Sequence, residues 1–553
     1  MIGPRIEQRY LDDEPMITAA PRRRIARAAA TIAAITVVAR AVGFGRTVVY
    51  GHTVGANCVG DVYTTANVIP NIIFDVVAGG TLSALVVPIL APALAGRGRR
   101  MASQIVSALL TWTLLAMTLV AVALVLLAGP VISLLLGDEQ CPGAHALGVR
   151  MLVVFAPQVV FYGLGIVLGG ALQAAERFVW PALAPLVSSL VVVAAYLVYG
   201  GLAGANRSVA QISRTDELVL SVGTTAGVAA LALCLLPAAS RLGIRCRPTL
   251  RFPVGLAPLA RQAAFAGAAT LGAQQLANAV MLNLANHGGE TGAAVVVTIA
   301  QTAFLLPWAV LAVPIATSVY PRLAAAWDAG DLGQVAALAG RGIKVIGALA
   351  ATGSAALIAA SSEVARLMLS PSSGSAQHAL AGSIAAFGAG LLGWSLVALL
   401  ARTLYAARLI RVAAAAQVAG WIVAIGADFV LAAAAPARSR AVVLALGNTV
   451  GVSVAAALLV AAAWRAKILP VLRPIALDCL RPVLAGGLGA LAGWSVSRAL
   501  APMSLLAAVL VGALVSLLAA AVCGGVLAVL DPSLPRSLLA LRPGRPVDRG
   551  AGR

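Results

Sequence analysis

Residues 37–46 read Val37-Val38-Ala39-Arg40-Ala41-Val42-Gly43-Phe44-Gly45-Arg46 and set two arginines inside a stretch otherwise apolar enough to cross a bilayer. A central arginine costs about 2.5–3.5 kcal/mol on insertion scales, so a guanidinium there implies a water-filled cavity, an ionic partner or an anionic ligand. The surrounding chain has 553 residues, of which 61% are hydrophobic and 10% charged, with a mean hydropathy of +0.97. Those values exclude a soluble globular domain and specify a polytopic membrane protein.

Apolar runs of about 20 residues fall near 28–50, 61–93, 103–129, 147–173, 179–200, 217–239, 256–285, 291–319, 337–360, 379–401, 412–434, 441–464, 480–498 and 504–529, which makes fourteen spans. The Arg- and Pro-rich loop near 240–255 divides them into six and eight. The expected fold is all-α: two six-helix lobes in a pseudo-twofold arrangement around a central cavity, plus two C-terminal helices. The units are a basic N-terminal tail (1–27), an N-lobe (28–240), a C-lobe (255–466), a terminal pair (478–530) and a basic C-terminal tail (531–553). Weak internal similarity supports the repeat, since Leu172-Gln173-Ala174-Ala175-Glu176-Arg177 resembles Leu404-Tyr405-Ala406-Ala407-Arg408. Repeats of this kind suit alternating access around a central site.

Most of the 39 Lys and Arg residues fall in the tails and the even-to-odd loops, which places both termini in the cytoplasm. The net charge of +20 therefore reports topology and contact with anionic lipid heads, and no nucleic-acid partner is expected. Arginine outnumbers lysine 37 to 2, which suggests a high-GC bacterium, such as an actinobacterium.

The second span carries Asn67, Asn71 and Asp75 at successive i, i+4 positions, so two amides and a carboxylate share one helical face. Pro70 is expected to kink this helix and Gly79-Gly80 to loosen it. Arg40 and Arg46 lie six residues apart, about 120° apart around a regular helix, and Gly43 and Gly45 between them offer a place to bend or unwind. The bland alternatives are snorkelling of Arg46, pairing of Arg46 with Asp61, and an internal Arg40–Asp75 ion pair. Two guanidiniums in one cavity suit a phosphate-bearing ligand.

Asp428 is the lone carboxylate of its span, and with Asn278 and Gln275 of the seventh span it forms a candidate cation site. Cys58 and Cys141 fall in the first two outer loops and are either a disulfide or two separate thiols. Cys234 and Cys523 lie inside spans as small packing residues, and the six cysteines show no metal spacing. His52, His145, His287 and His378 are scattered, so no metal site is expected. Gly388-Ala389-Gly390-Leu391-Leu392-Gly393 matches the dinucleotide fingerprint literally, but inside an apolar span it reads as close helix packing. No catalytic motif supports an enzyme, and no soluble cofactor is implied.

The residues from Ala39 to Arg46 resemble the first-helix signature of the MurJ (MviN) lipid II flippases, a family of the multidrug/oligosaccharidyl-lipid/polysaccharide exporter superfamily. Asp61, Ile69-Pro70-Asn71 and Gly80-Thr81-Leu82-Ser83-Ala84-Leu85-Val86-Val87-Pro88 are similar to its second helix, and Leu172-Gln173-Ala174 with Arg177-Phe178 to its fourth-to-fifth junction. Leu306-Pro307 through Pro321 resembles the eighth helix, and Leu400-Ala401-Arg402-Thr403-Leu404 the tenth. The resemblance implies a two-lobed carrier in the cytoplasmic membrane that rocks lipid II, or a related polyprenyl-pyrophosphate lipid, to the outer leaflet for cell-wall synthesis. It implies Arg40 and Arg46 as pyrophosphate ligands, with Asn67, Asn71 and Asp75 lining the same cavity. Asp61 matches a portal-side acid and Asp428 falls near a cation site, which makes coupling to an ion (Na+, H+ or Cl−) an expectation; Gly43, Pro70 and Gly80 are the candidate portal or gating positions beside Asp61. Cell-wall synthesis proteins and membrane lipids are the further partners it suggests.

The chain departs from the pattern in places. Phe74 followed by Asp75 stands where many members carry an arginine, Gly79 where they carry a glutamate, and Thr302 at a basic position of the eighth helix. These departures keep open an exporter of another polyprenyl-linked glycan or of a drug. A membrane-embedded polymerase and a scaffold of wall synthesis are the readings from other classes.

Overall fold

The computed structural model describes residues 22–77, 90, 98–136, 141–204, 208–243, 247–251, 257–469, 471–500, 504–535 and 537. Residues 1–21 and 538–553 of the tails, Gly79-Gly80 and Arg97 lie outside them. Every regular element among the described residues is helical. The first half comprises α1 (Arg22–Thr53), α2 (Cys58–Val77), α3 (Gly98–Leu126), α4 (Ala128–Leu135), α5 (Ala144–Phe155), α6 (Gln158–Ala174), α7 (Val179–Ala203), α8 (Arg214–Leu233) and α9 (Leu236–Ser240). The second half comprises α10 (Ala257–Asn286), α11 (Ala293–Pro307), α12 (Val313–Asp328), α13 (Leu332–Ala359), α14 (Ser361–Met368), α15 (Gly374–Ala389), α16 (Leu391–Ala406), α17 (Ile410–Ala434) and α18 (Arg440–Arg465). A terminal pair follows, α19 (Leu472–Leu500) and α20 (Leu505–Leu530).

Among the described residues, eleven helical stretches are long and apolar enough to cross a membrane. A helix satisfies its own backbone groups where no water reaches, which makes it the element this composition requires. Several stretches are interrupted where the sequence demands it. Pro157 breaks 144–174 between α5 and α6, Gly390 breaks 374–406 between α15 and α16, and a π-helical turn at Trp308–Ala312 follows Pro307. A proline removes one rung of the i→i−4 ladder, and the chain relaxes there.

The two junctions that look alike in sequence also have the same local backbone. Glu176 and Arg408 both adopt positive φ, 58° and 60°. The Arg177 amide donates to the Leu172 carbonyl and the Leu409 amide to the Leu404 carbonyl, each at 2.8 Å. The fourth and tenth spans thus end in the same left-handed, six-to-one cap.

One expectation on the opening helices, that the glycines of α1 unwind it, needs correction. α1 runs through Gly43 and Gly45 as one uninterrupted 32-residue helix, with Thr47 donating to the Gly43 carbonyl. A Cβ at either glycine would meet nothing within 4 Å, so the glycines open space beside a regular helix instead of unwinding it. The second helix, α2, continues past Pro70 to Val77.

The largest apolar core draws on both halves, with Val59, Val62 and Phe155 clustering with Val295, Val296, Ile299, Leu369 and Leu380. The terminal pair docks through small residues: Gly486, Gly489 and Gly493 of α19 meet Ala351, Ala355 and Ala359 of α13. Such stripes let helix backbones approach closely where lipid offers no hydrophobic drive. Gly390 and Gly393 press on Thr449 and Ser453 of α18, the packing role expected for that glycine motif.

Candidate functional site

A polar seam runs between the two halves. On α2, Asn71 donates to the Asn67 carbonyl (2.7 Å) and accepts from the Tyr162 hydroxyl of α6 (2.7 Å). One turn further, Asp75 accepts at Oδ2 from Gln275 of α10 (3.1 Å), which crosses from the first half to the second. Gln275 Oε1 in turn accepts from Asn278 (3.3 Å), and Asn278 Oδ1 from Gln301 of α11 at a long 3.5 Å. Each amide passes its N–H toward Asp75, so the dipoles align on the carboxylate and favour its charge.

Arg40 is exposed and Arg46 half-buried on α1. Among the described residues neither makes an ion pair, and Arg46 acts electrostatically on the hydroxyls of Tyr63, Tyr162 and Tyr196. Behind it, Tyr63 bonds to Tyr196 and Thr224, and Tyr50 to Thr64 and the Gly60 carbonyl. This tyrosine scaffold is buried. Phe74, where a further guanidinium was in question, stacks on Tyr162 with centroids 4.4 Å apart. Thr302 donates to its own helix at Thr298.

Asp61 pairs with neither arginine. It is buried, and its carboxylate accepts from the amides of Gly292 (2.5 Å) and Val295 (3.2 Å), capping α11 from the opposite half. An anion at a helix N-terminus meets both orphan donors and the dipole. Gly292 has φ +91° and a Cβ there would come within 2.6 Å of the Ala56 carbonyl oxygen, so only glycine lets the halves meet this closely. Asn286 adds bonds to Thr65 and the Leu135 carbonyl. A disulfide joins Cys58 to Cys141 (Cα–Cα 5.9 Å) at the same end.

The candidate cation group is divided. Gln275 and Asn278 belong to the Asp75 chain, and neither bonds to Asp428, because those amides are committed across the seam. Asp428 is buried against Gly447, and its Oδ1 has no hydrogen-bond partner. Cys523 is buried as expected, whereas Cys234 is half-buried.

Sequence reasoning found the α2 face and both arginines but missed Tyr162, Gln301, Asn286 and the Gly292 amide. Gln301 had a signal, as a lone amide in an apolar span. Tyr162 and Gly292 had none, because their partners are more than 90 and 230 residues away.

The family model for the lipid II flippase MurJ matches residues 51–513. A probable lipid II flippase MurJ from Rhizobium meliloti is 26% identical over 354 residues, which cover 61% of this chain and 62% of that protein's own length. The lipid II flippase MurJ of Burkholderia cenocepacia is 26% identical over 391 residues, covering 69% of this chain and 73% of the relative. Among solved structures, a lipid II flippase MurJ in an inward closed conformation superposes with a TM-score of 0.67 at 16% identity, covering 92% of this chain and 99% of that one. An inward-facing multidrug resistance MATE transporter of the MOP superfamily gives 0.65 at 14% identity, covering 80% and 98%. At these identities the two structures speak to the fold alone.

Proposed function

This chain belongs to the MurJ family of lipid II flippases, and on that premise we propose that it moves lipid II, a polyprenyl-pyrophosphate peptidoglycan precursor, from the inner to the outer leaflet of the cytoplasmic membrane. The observation that carries the reading is the pair of arginines on α1, without an ion pair among the described residues, of which Arg46 acts on the Tyr162 hydroxyl of a seam whose other groups come from both halves. A guanidinium left without a carboxylate at such a place has an anion as its natural partner, and pyrophosphate offers oxygens for bidentate bonds.

In this account residues 28–240 and 255–466 are the two rocking lobes and the seam is the central cavity. α1, α2 and α10, added to the eleven stretches, make up the fourteen spans. The Cys58–Cys141 disulfide supports an oxidising, outer location for that end, with both termini on the cytoplasmic side. The shared apolar core and the Asp61 cap then close the cavity outward, and both must part for release. Asp428, buried with an unpartnered oxygen, is the group we assign to proton or cation coupling. No soluble cofactor enters the cycle, and wall-synthesis enzymes are natural recipients of the product.

Phe74 and Thr302 favour a second reading, a flippase for another polyprenyl-linked glycan, since they supply no charge where the family pattern has it. Complementation of a strain depleted of its own lipid II flippase tests the first. The wild-type chain restores growth, while Arg40→Ala and Arg46→Ala each reach the membrane but fail to restore it. Full rescue by both variants contradicts the phosphate role.

A further inference from the structure

The seam carries charges of both signs that do not neutralise each other. Arg46 on α1 and Asp75 on α2 both lie within electrostatic range of the Tyr162 hydroxyl, which donates to Asn71 one turn before Asp75. Yet among the described residues no ion pair joins Asp75 to Arg40 or Arg46. Asp75 instead spends one oxygen, Oδ2, on Gln275, and its side chain remains exposed. The amide chain behind it points its N–H groups toward the carboxylate and leaves the other oxygen as an acceptor to spare. One turn beyond Asn71, the Asn67 Oδ1 on the same α2 face is buried with no partner, a second acceptor without a donor. A site built only for pyrophosphate gains nothing from these groups, because a carboxylate repels phosphate across several ångströms of low-dielectric space.

We propose that Asp75 binds a cationic group of the transported lipid, a primary ammonium on the headgroup, while Arg40 and Arg46 bind its pyrophosphate. The proposal rests on the reading of this seam as the cavity for a polyprenyl-pyrophosphate lipid, and it specifies the headgroup as one bearing both charges. Opposite charges on two neighbouring helices orient such a ligand along the seam, with phosphate toward α1 and the amine toward α2. The donors of the ammonium meet the open oxygen of Asp75, and Gln275 fixes the carboxylate for them as a positioning residue.

Binding to the purified protein in nanodiscs tests this, with lipid II carrying a free side-chain amine and the same lipid N-acetylated. The wild type is expected to hold the free amine about tenfold more tightly, the scale of one charge-assisted hydrogen bond. Asp75→Asn should bring the two within twofold without weakening the acetylated lipid, Asp75→Glu should restore part of the preference, and Arg46→Ala should weaken both lipids together. Equal affinities in the wild type, or a preference that survives in Asp75→Asn, overturn the proposal. If neither form of lipid II binds, the flippase reading fails, and a short-chain pyrophosphate amphiphile with and without an amine decides the charge pairing separately. An Asp75-dependent preference for the amine supports it, and no preference or no binding overturns it.

Discussion

Asp61 shows how much one side chain contributes at the closed end. Its carboxylate holds two amides of α11 from the other half of the molecule, and no cation shares it. Asp61→Asn keeps one acceptor and loses the charge, which should weaken the closed arrangement by about 1–2 kcal/mol. The expected outcome is several-fold faster alkylation of a cysteine introduced at Val296, a residue sealed in the shared core. An unchanged rate would remove the latch role. The sequence made Asp61 visible as an acid near a span start, with Arg46 as one alternative partner. The true partners are backbone amides, which no pattern of side chains reports. Arg40 and Arg46 were legible for the opposite reason, since a guanidinium in an apolar run is costly wherever the fold puts it.

At the scale of elements, two attachments can be tested. The disulfide ties α2 to the start of α5 over a separation of 83 residues, and opening it should lower stability by about 2–4 kcal/mol. Thermal unfolding of Cys58→Ser should show a fall of several degrees, matched by reductant on the wild type. The terminal pair is held at one end by Lys344 of α13, which reaches Asp531 at 2.9 Å, Asp478 at 3.5 Å and the Ser533 hydroxyl at 2.9 Å. Burial works against the Asp531 charge, but the hydrogen bonds of Ser533 and Lys344 outweigh it and hold its carboxyl below the usual carboxylate range. A depressed value stabilises the fold at and above the ordinary carboxylate pKa of about 3.9, and that contribution is lost only as pH falls below it. Lys344→Met leaves two carboxylates facing each other and should loosen α19 and α20 by about 3 kcal/mol. Limited proteolysis between them would then be faster at pH 7, and the difference from wild type would shrink in acid. The helices themselves were legible, because apolar length reads directly as span. Their breaks were legible only in part. Pro157 and Pro307 are visible in the sequence, whereas Pro70 lies within α2 without ending it.

At the scale of the molecule, the long apolar runs made the all-helical membrane fold readable, since only a helix satisfies its own backbone across a bilayer. The similarity of the 172–177 and 404–408 junctions was faint in sequence, where alanine-rich matches carry little information, and extends to the backbone, where Glu176 and Arg408 take the same left-handed turn. The seam was half legible. Its α2 face follows from i, i+4 spacing, whereas its assembly with Tyr162, Gln275 and Gln301 depends on how the halves meet. The central claim is that this assembled molecule carries lipid II across the membrane, with α1 arginines on the pyrophosphate. The most direct measurement is the fraction of lipid II accessible at the outer leaflet after depletion of the resident flippase, with this chain or its Arg46→Ala variant supplied in its place. The account predicts that the wild-type chain restores outer-leaflet lipid II and that the variant, equally abundant in the membrane, leaves it at least tenfold lower. Lipid II that stays inaccessible with the wild-type chain, or that returns fully with the variant, would contradict it.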